Sequence, residues 1–117
     1  MIVSSPAVRA KLTAQSIAEA MDFPPRDIEW EDDVYHATPE TLLAILRQTN
    51  DKHQSLMIVG HNPGLTEFQN RISSEAIENI VTAGIVSVLL EVKTWSEAML
   101  LSKAKQLWYD YPKRPQR

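Results

Sequence analysis

Hydrophobic and polar positions along the chain switch between two spacings, one suited to short buried strands and the other to helices. Met1-Ile2-Val3 opens as an apolar stub of strand, and Ser4-Ser5-Pro6 breaks it. Ser5 can cap a helix whose first turn holds Pro6. Ala7 to Met21 then runs without Gly or Pro and spaces Val8, Leu12, Ala14, Ile17, Ala18 and Met21 as a helical stripe, which predicts one buried face. Phe23-Pro24-Pro25 ends that helix. The acidic stretch Glu29 to Asp33 reads as a solvated connection or a short edge strand, and no chemistry is assigned to it. Thr38-Pro39-Glu40 repeats the cap-then-proline pattern and opens a second helix through Leu42, Leu43, Ile45 and Leu46 that ends near Asn50.

Ser55 to Gly60 is a nearly continuous apolar run, the pattern of a strand buried on both faces by helices. His61-Asn62-Pro63-Gly64-Leu65 follows as a tight turn, with Asn62 placed to cap a third helix running to about Ile72. Ile85 to Val92 is rich in β-branched residues and reads as another strand after Ala83-Gly84. Ser96 to Tyr109 has helical propensity, yet Leu107-Trp108-Tyr109 before Pro112 equally suits a final strand, which is preferred. Pro112 to Arg117 reads as a frayed end. Helices alternating with strands predict one α/β domain over residues 1–117, with a largely parallel sheet.

Composition narrows the function classes. The apolar fraction of 44% and charged fraction of 23% are ordinary for a folded protein. A formal net charge of -3 exerts no long-range pull on nucleic acid or an anionic membrane, so an anion has to be caught locally. The chain has no cysteine, which excludes disulfides, thiolate zinc sites and a thiol nucleophile. The start lacks the basic and long apolar regions of a secretory signal, and runs such as Leu56 to Val59 are too short to span a bilayer. The expected location is cytoplasmic.

In open α/β sheets, ligands bind beyond the carboxyl ends of the strands, where loops enter helices. Two such junctions occur. Val3 to Arg9 puts Arg9 in the opening turn of a helix, where a cation opposes the helix dipole unless an anion lies between them. Val59 to Pro63 puts His61 at the end of the most apolar strand, so Arg9 and His61 can face one another. Taken singly, an arginine near a helix start is usually solvated and a histidine after a strand is usually held within its turn. His36 and His53 lie in polar connections without a partner at metal-ligand spacing and read as surface residues. Gly-rich phosphate loops, nucleophile elbows and His-Glu-x-x-His patterns are absent from the sequence.

The two junctions together carry a resemblance. Ser5-Pro6-Ala7-Val8-Arg9-Ala10 with Thr13-Ala14 resembles the Ser-Pro-x-x-Arg-Ala-x-x-Thr-Ala signature of the SixA-type phosphohistidine phosphatases, within the histidine phosphatase superfamily. Val59-Gly60-His61-Asn62-Pro63-Gly64-Leu65 is similar to that family's second signature. Tyr35 with Glu40 to Leu46 resembles its helix before the third strand, Thr82-Ala83-Gly84 the lead into the next strand, and Trp95 with Tyr111-Pro112-Lys113 its closing elements. The resemblance implies a phosphoglycerate mutase-like three-layer sandwich, with a mostly parallel central sheet flanked by helices. It implies a metal-independent hydrolase without cofactors, in which Arg9 clamps phosphate, His61 donates to phosphoryl oxygens, and Asn62 belongs to the phosphate-binding set. Its implied partner is phosphate or a phosphohistidine-bearing protein.

Members of the superfamily place their nucleophilic histidine in an Arg-His-Gly motif on the first strand, and this sequence contains no Arg-His-Gly. The family's first strand and helix would precede Met1. Without the nucleophile, phosphate binding without efficient turnover is expected. The missing strand would also leave open backbone beside the strand at Met1, which predicts a homo-oligomer that covers this edge. Three readings follow: a phosphatase whose start lies upstream of Met1, a phosphate or phosphoprotein binding module using Arg9 and His61, and an interaction domain without a pocket. Glu67, on the helix after His61, is the candidate proton donor by location, although a solvated helical glutamate is the plainer reading.

Overall fold

The protein is described by a computed structural model covering residues 1–81, 84–101 and 103–112. Thr82, Ala83 and the Lys113 to Arg117 tail, all invoked in the sequence reading, lie outside the described residues.

The first strand, β1 (Ile2–Ser4), is buried along its whole length and pairs in parallel on both sides. One neighbour is β2 (Glu29–Trp30), in register Val3↔Glu29 and Ser4↔Trp30. The other is β3 (Met57–Val59), in register Ile2↔Met57 to Ser4↔Val59. The sheet order is therefore β2-β1-β3, and the open edges fall on β2 and β3. The expected unpaired edge beside the Met1 strand is corrected by this order, because the chain returns twice to flank β1. Glu29 and Trp30 form the short, exposed edge strand, with the Lys11 ammonium 5.8 Å from the centre of the Trp30 ring.

Between β1 and β2 runs α1 (Val8–Ala20). It buries Ala10, Ala14 and Ala18 against Ile2, Ile28 and Val59, while Val8, Leu12 and Met21 are 72%, 60% and 58% exposed. The predicted stripe had merged two opposite rows. Leu12 and Ala14 are two residues apart, about 200° around the helix axis, so they cannot share a face. Three alanines one turn apart let the helix sit close to the sheet. The helix also begins later than expected: Ala7 is its cap residue, and the Ser5 hydroxyl accepts the Ala7 N–H at 3.2 Å instead of capping the first turn.

The opposite face of the sheet is covered by α2 (Pro39–Arg47) and α3 (Gly64–Ile72), where Val3 packs with Val34, Leu42, Ile58, Leu65 and Phe68. Here the cap reading holds. Thr38 accepts the Thr41 N–H at 3.2 Å, and Pro39 occupies the first helical position. An exposed Arg71–Glu40 ion pair joins the two helices and holds the Glu40 carboxyl below its ordinary range.

The last two strands, β4 (Ile85–Leu89) and β5 (Lys105–Asp110), form a separate antiparallel pair with a bulge between Ser87 and Val88. So β4 does not extend the parallel sheet, and it stops short of Val92. The C-terminal stretch is a strand, preceded by a short 3-10 turn at Trp95–Glu97. A parallel partner would need a helical crossover, which the connection between β4 and β5 lacks, whereas an antiparallel partner needs only a return loop. Val88 and Leu90 pack with Leu46, Ile72, Ala98 and Ala104, and a bridge from Ser73 to Ala104 ties β5 to the end of α3. Among the described residues, no helix is long and apolar enough to cross a membrane.

Candidate functional site

The carboxyl ends of β1 and β3 meet, with the Ser5 N–H donating to the Val59 carbonyl at 3.0 Å. Immediately beyond, His61 Nε2 and Ser5 Oγ lie 2.8 Å apart. The two junctions singled out in the sequence are thus joined by a direct side-chain contact. A serine and a histidine at this spacing suggest a nucleophile and its base. Ser5 is 0% exposed, however, and also accepts the Ala7 N–H, so its hydroxyl is shielded from solvent in this arrangement. Ser5 thus contacts the imidazole at the start of the loop leading to Arg9.

Arg9 stands in the first turn of α1 and is exposed; among the described residues its guanidinium has no ion-pair partner. A solvated arginine there is available to an anion arriving at the helix start.

The Asn62 carboxamide is engaged at both ends. Its Oδ1 accepts from the Thr66 hydroxyl at 2.7 Å and the Thr66 N–H at 3.2 Å, and its Nδ2 donates to the Ile80 carbonyl at 2.6 Å; the cap residue of α3 is Pro63, not the expected Asn62, which reaches the first turn from one position earlier. Thr66 in turn accepts the Ile80 N–H at 3.0 Å. Asn62 therefore ties the turn after His61 to the loop before β4, and the Asn62–Pro63 peptide within that turn is cis.

The site has a further wall that local spacing could not reveal. Tyr35 presents its ring edge-on to His61 at 5.2 Å between centres and lies 4.0 Å from the His36 ring. His36, read from sequence as an isolated surface residue, is exposed but stands in the neighbourhood of His61. Its φ of 57° lies in the left-handed region, uncommon for a residue with a side chain. Two of the chain's three glycines flank His61 and let this wall approach. A Cβ on Gly60 would come within 2.8 Å of Val34 Cγ1, and one on Gly64 within 2.3 Å of the Ala37 carbonyl oxygen. These glycines were the only local signal that another segment packs against the His61 turn.

The remaining candidates lie apart. His53 uses its carbonyl to accept the Trp95 indole N–H at 2.8 Å. Glu67 is exposed in the first turn of α3, where its charge complements the helix dipole. Among the described residues, no group of three or more His, Cys, Asp or Glu could hold a metal ion. No family model, curated protein or solved structure matches the chain.

Burial pushes the His61 imidazole below its ordinary value, and the charge of His36 pushes it further the same way. The unfolded chain then binds the His61 proton more readily than the folded one, so folding is favoured as pH rises. Stability is complete above the ordinary imidazole pKa of about 6.5 and falls as pH drops from there toward the lower folded-state value. Urea titrations of the parent and His61→Gln between pH 7.5 and 5 should show a steeper acid loss in the parent. Equal slopes would remove His61 as the origin.

Proposed function

We propose that this chain is a SixA-type phosphohistidine phosphatase domain that binds a phosphoryl group at Arg9 and His61 and turns it over poorly. The observation that supports this best is the 2.8 Å contact between Ser5 and His61, because it brings both signature segments to one end of the sheet. A transferring or bound phosphoryl group spreads negative charge over its oxygens, and it is met by a planar guanidinium fork and an imidazole donor. The parallel sheet with helices on both faces is consistent with the three-layer, phosphoglycerate mutase-like arrangement of that family. The 117 residues contain no Arg-His-Gly, and neither His36 nor His53 follows a sheet strand as that motif would, so the covalent step has no obvious nucleophile. The physiological ligand on this reading is a phosphohistidine-bearing protein or phosphate itself.

The test is a pair of measurements on the 117-residue chain. Inorganic phosphate at about ten times its Kd should add roughly 1.4 kcal/mol to the unfolding free energy, seen as a rise in Tm that Arg9→Ala abolishes. Phosphoramidate hydrolysis should stay at the level of the His61→Ala control. An unmoved parent Tm sinks the phosphate reading; hydrolysis above the control sinks the claim of poor turnover.

A second property rests on the sheet edge. Since Met57 N–H and Val59 carbonyl bond toward β1, the backbone N–H and carbonyl of Ile58 point to the side of β3 that has no strand neighbour among the described residues. An edge of this kind pairs readily with another chain, and the proposed assembly is a homo-oligomer that covers it. Light scattering should report a mass above 13.3 kDa that falls on dilution; a monomer at every concentration would refute it.

A further inference from the structure

We propose that His36 is a third anion-contacting residue of this site, and that Arg9, His61 and His36 together select a dianionic phosphoryl group over a monoanionic phosphodiester. The inference rests on the phosphate reading above and adds to it a residue that the sequence had set aside. The structural basis is the shared Tyr35 ring. His36 lies 4.0 Å from it and His61 5.2 Å, so the two imidazole centres are no farther apart than those spacings laid end to end. Both belong to groups open to solvent on the same side of the molecule as the Ser5 loop, with Tyr35 itself 52% exposed.

The backbone around His36 is held in place. Its left-handed φ of 57° costs energy for a residue with a Cβ, and such conformations persist where the surroundings over-determine them. Those surroundings are the close approaches at Gly60 and Gly64, which clamp Val34 and Ala37 on either side of Tyr35 and His36. The electrostatic influence of His36 on His61 is a separate sign that the two rings share a field. An anion placed between them turns that mutual repulsion into attraction to a common partner.

Chemistry then sets the ligand class. A phosphomonoester or phosphoramidate carries three non-bridging oxygens and close to two charges, enough to engage a guanidinium and two imidazole donors at once. A phosphodiester offers two such oxygens and one charge, leaving one of the three groups unmatched.

The experiment titrates inorganic phosphate into the full 117-residue chain while the carbon-bound imidazole protons of its three histidines are followed by NMR. The His36 and His61 signals should move with one common Kd while His53 stays still. His36→Asn keeps a residue type that tolerates the left-handed backbone; it should weaken phosphate about tenfold, as expected for a lost charge-assisted hydrogen bond. The same variant should lose most of the preference for phosphate over dimethyl phosphate. Movement of His61 alone, with parental affinity in His36→Asn, overturns the assignment and leaves the phosphate reading standing. If neither His61 nor His36 responds, the phosphate reading itself fails and the role of His36 falls with it.

Discussion

Replacing Gly64 by alanine should destabilise the protein by about 3 kcal/mol, at the upper end of the usual cost of forcing extra volume into a packed site. For a chain of this size that is a fall in Tm of roughly 12 °C. The sign is informative, because Gly64 is the first residue of α3 and alanine is normally the better helix former by about 1 kcal/mol. A solvated glycine at this place would therefore gain stability on the change. Here the new Cβ would sit 2.3 Å from the Ala37 carbonyl oxygen, and a backbone oxygen cannot swing aside as a side-chain tip does. Either α3 tilts or the segment carrying Tyr35 and His36 moves away from His61. Gly60→Ala meets only Val34 Cγ1, at 2.8 Å, and should cost less, since a side chain can yield where a carbonyl cannot. Thermal melts of the two variants beside the parent decide the matter. A Gly64→Ala protein as stable as the parent would mean that the Tyr35–His36 wall does not pack against the His61 turn as described.

On α1, Ala14→Leu should cost about 3 kcal/mol while Leu12→Ala changes stability by less than about 0.5 kcal/mol. Ala14 is 0% exposed between the helix and Ile2, Ile28 and Val59, and three added carbons have no space there without lifting the helix from the sheet. Leu12 is 60% exposed on the opposite row, so its truncation removes little burial. Urea unfolding of both variants checks this. The reverse ranking, with Leu12→Ala the damaging change, would place Leu12 on the buried face and displace the alanine row.

Much of the local structure was legible because it depends on neighbours in the chain. The Thr38-Pro39 cap and the apolar run at Met57–Val59 form as expected, since each signal lies within a turn or two of the element that it predicts. The meeting of the Ser5 and His61 junctions was legible at the level of topology, because parallel strands present their carboxyl ends on one side. The errors have physical causes of their own. A helical stripe counted by apolar type put Val8, Leu12 and Met21 on one face with Ala14 and Ala18, although burial against a sheet is decided by how closely the backbone can approach and here selects the alanine row. The C-terminal segment stayed ambiguous because the apolar run Leu107-Trp108-Tyr109 suits a helix or a strand until an antiparallel partner fixes it, as β4 does here.

The sequence by itself determined an α/β chain and the strand ends that carry Ser5 and His61. Only the tertiary structure decided that β1 is central and not an edge, that β4 and β5 form a separate pair, that Asn62 anchors a loop, and that His36 and His61 both stand against the Tyr35 ring. Those contacts join residues far apart in the chain, and no local spacing encodes them. They arise because two glycines leave room for a distant segment to pack where a Cβ would have kept it out.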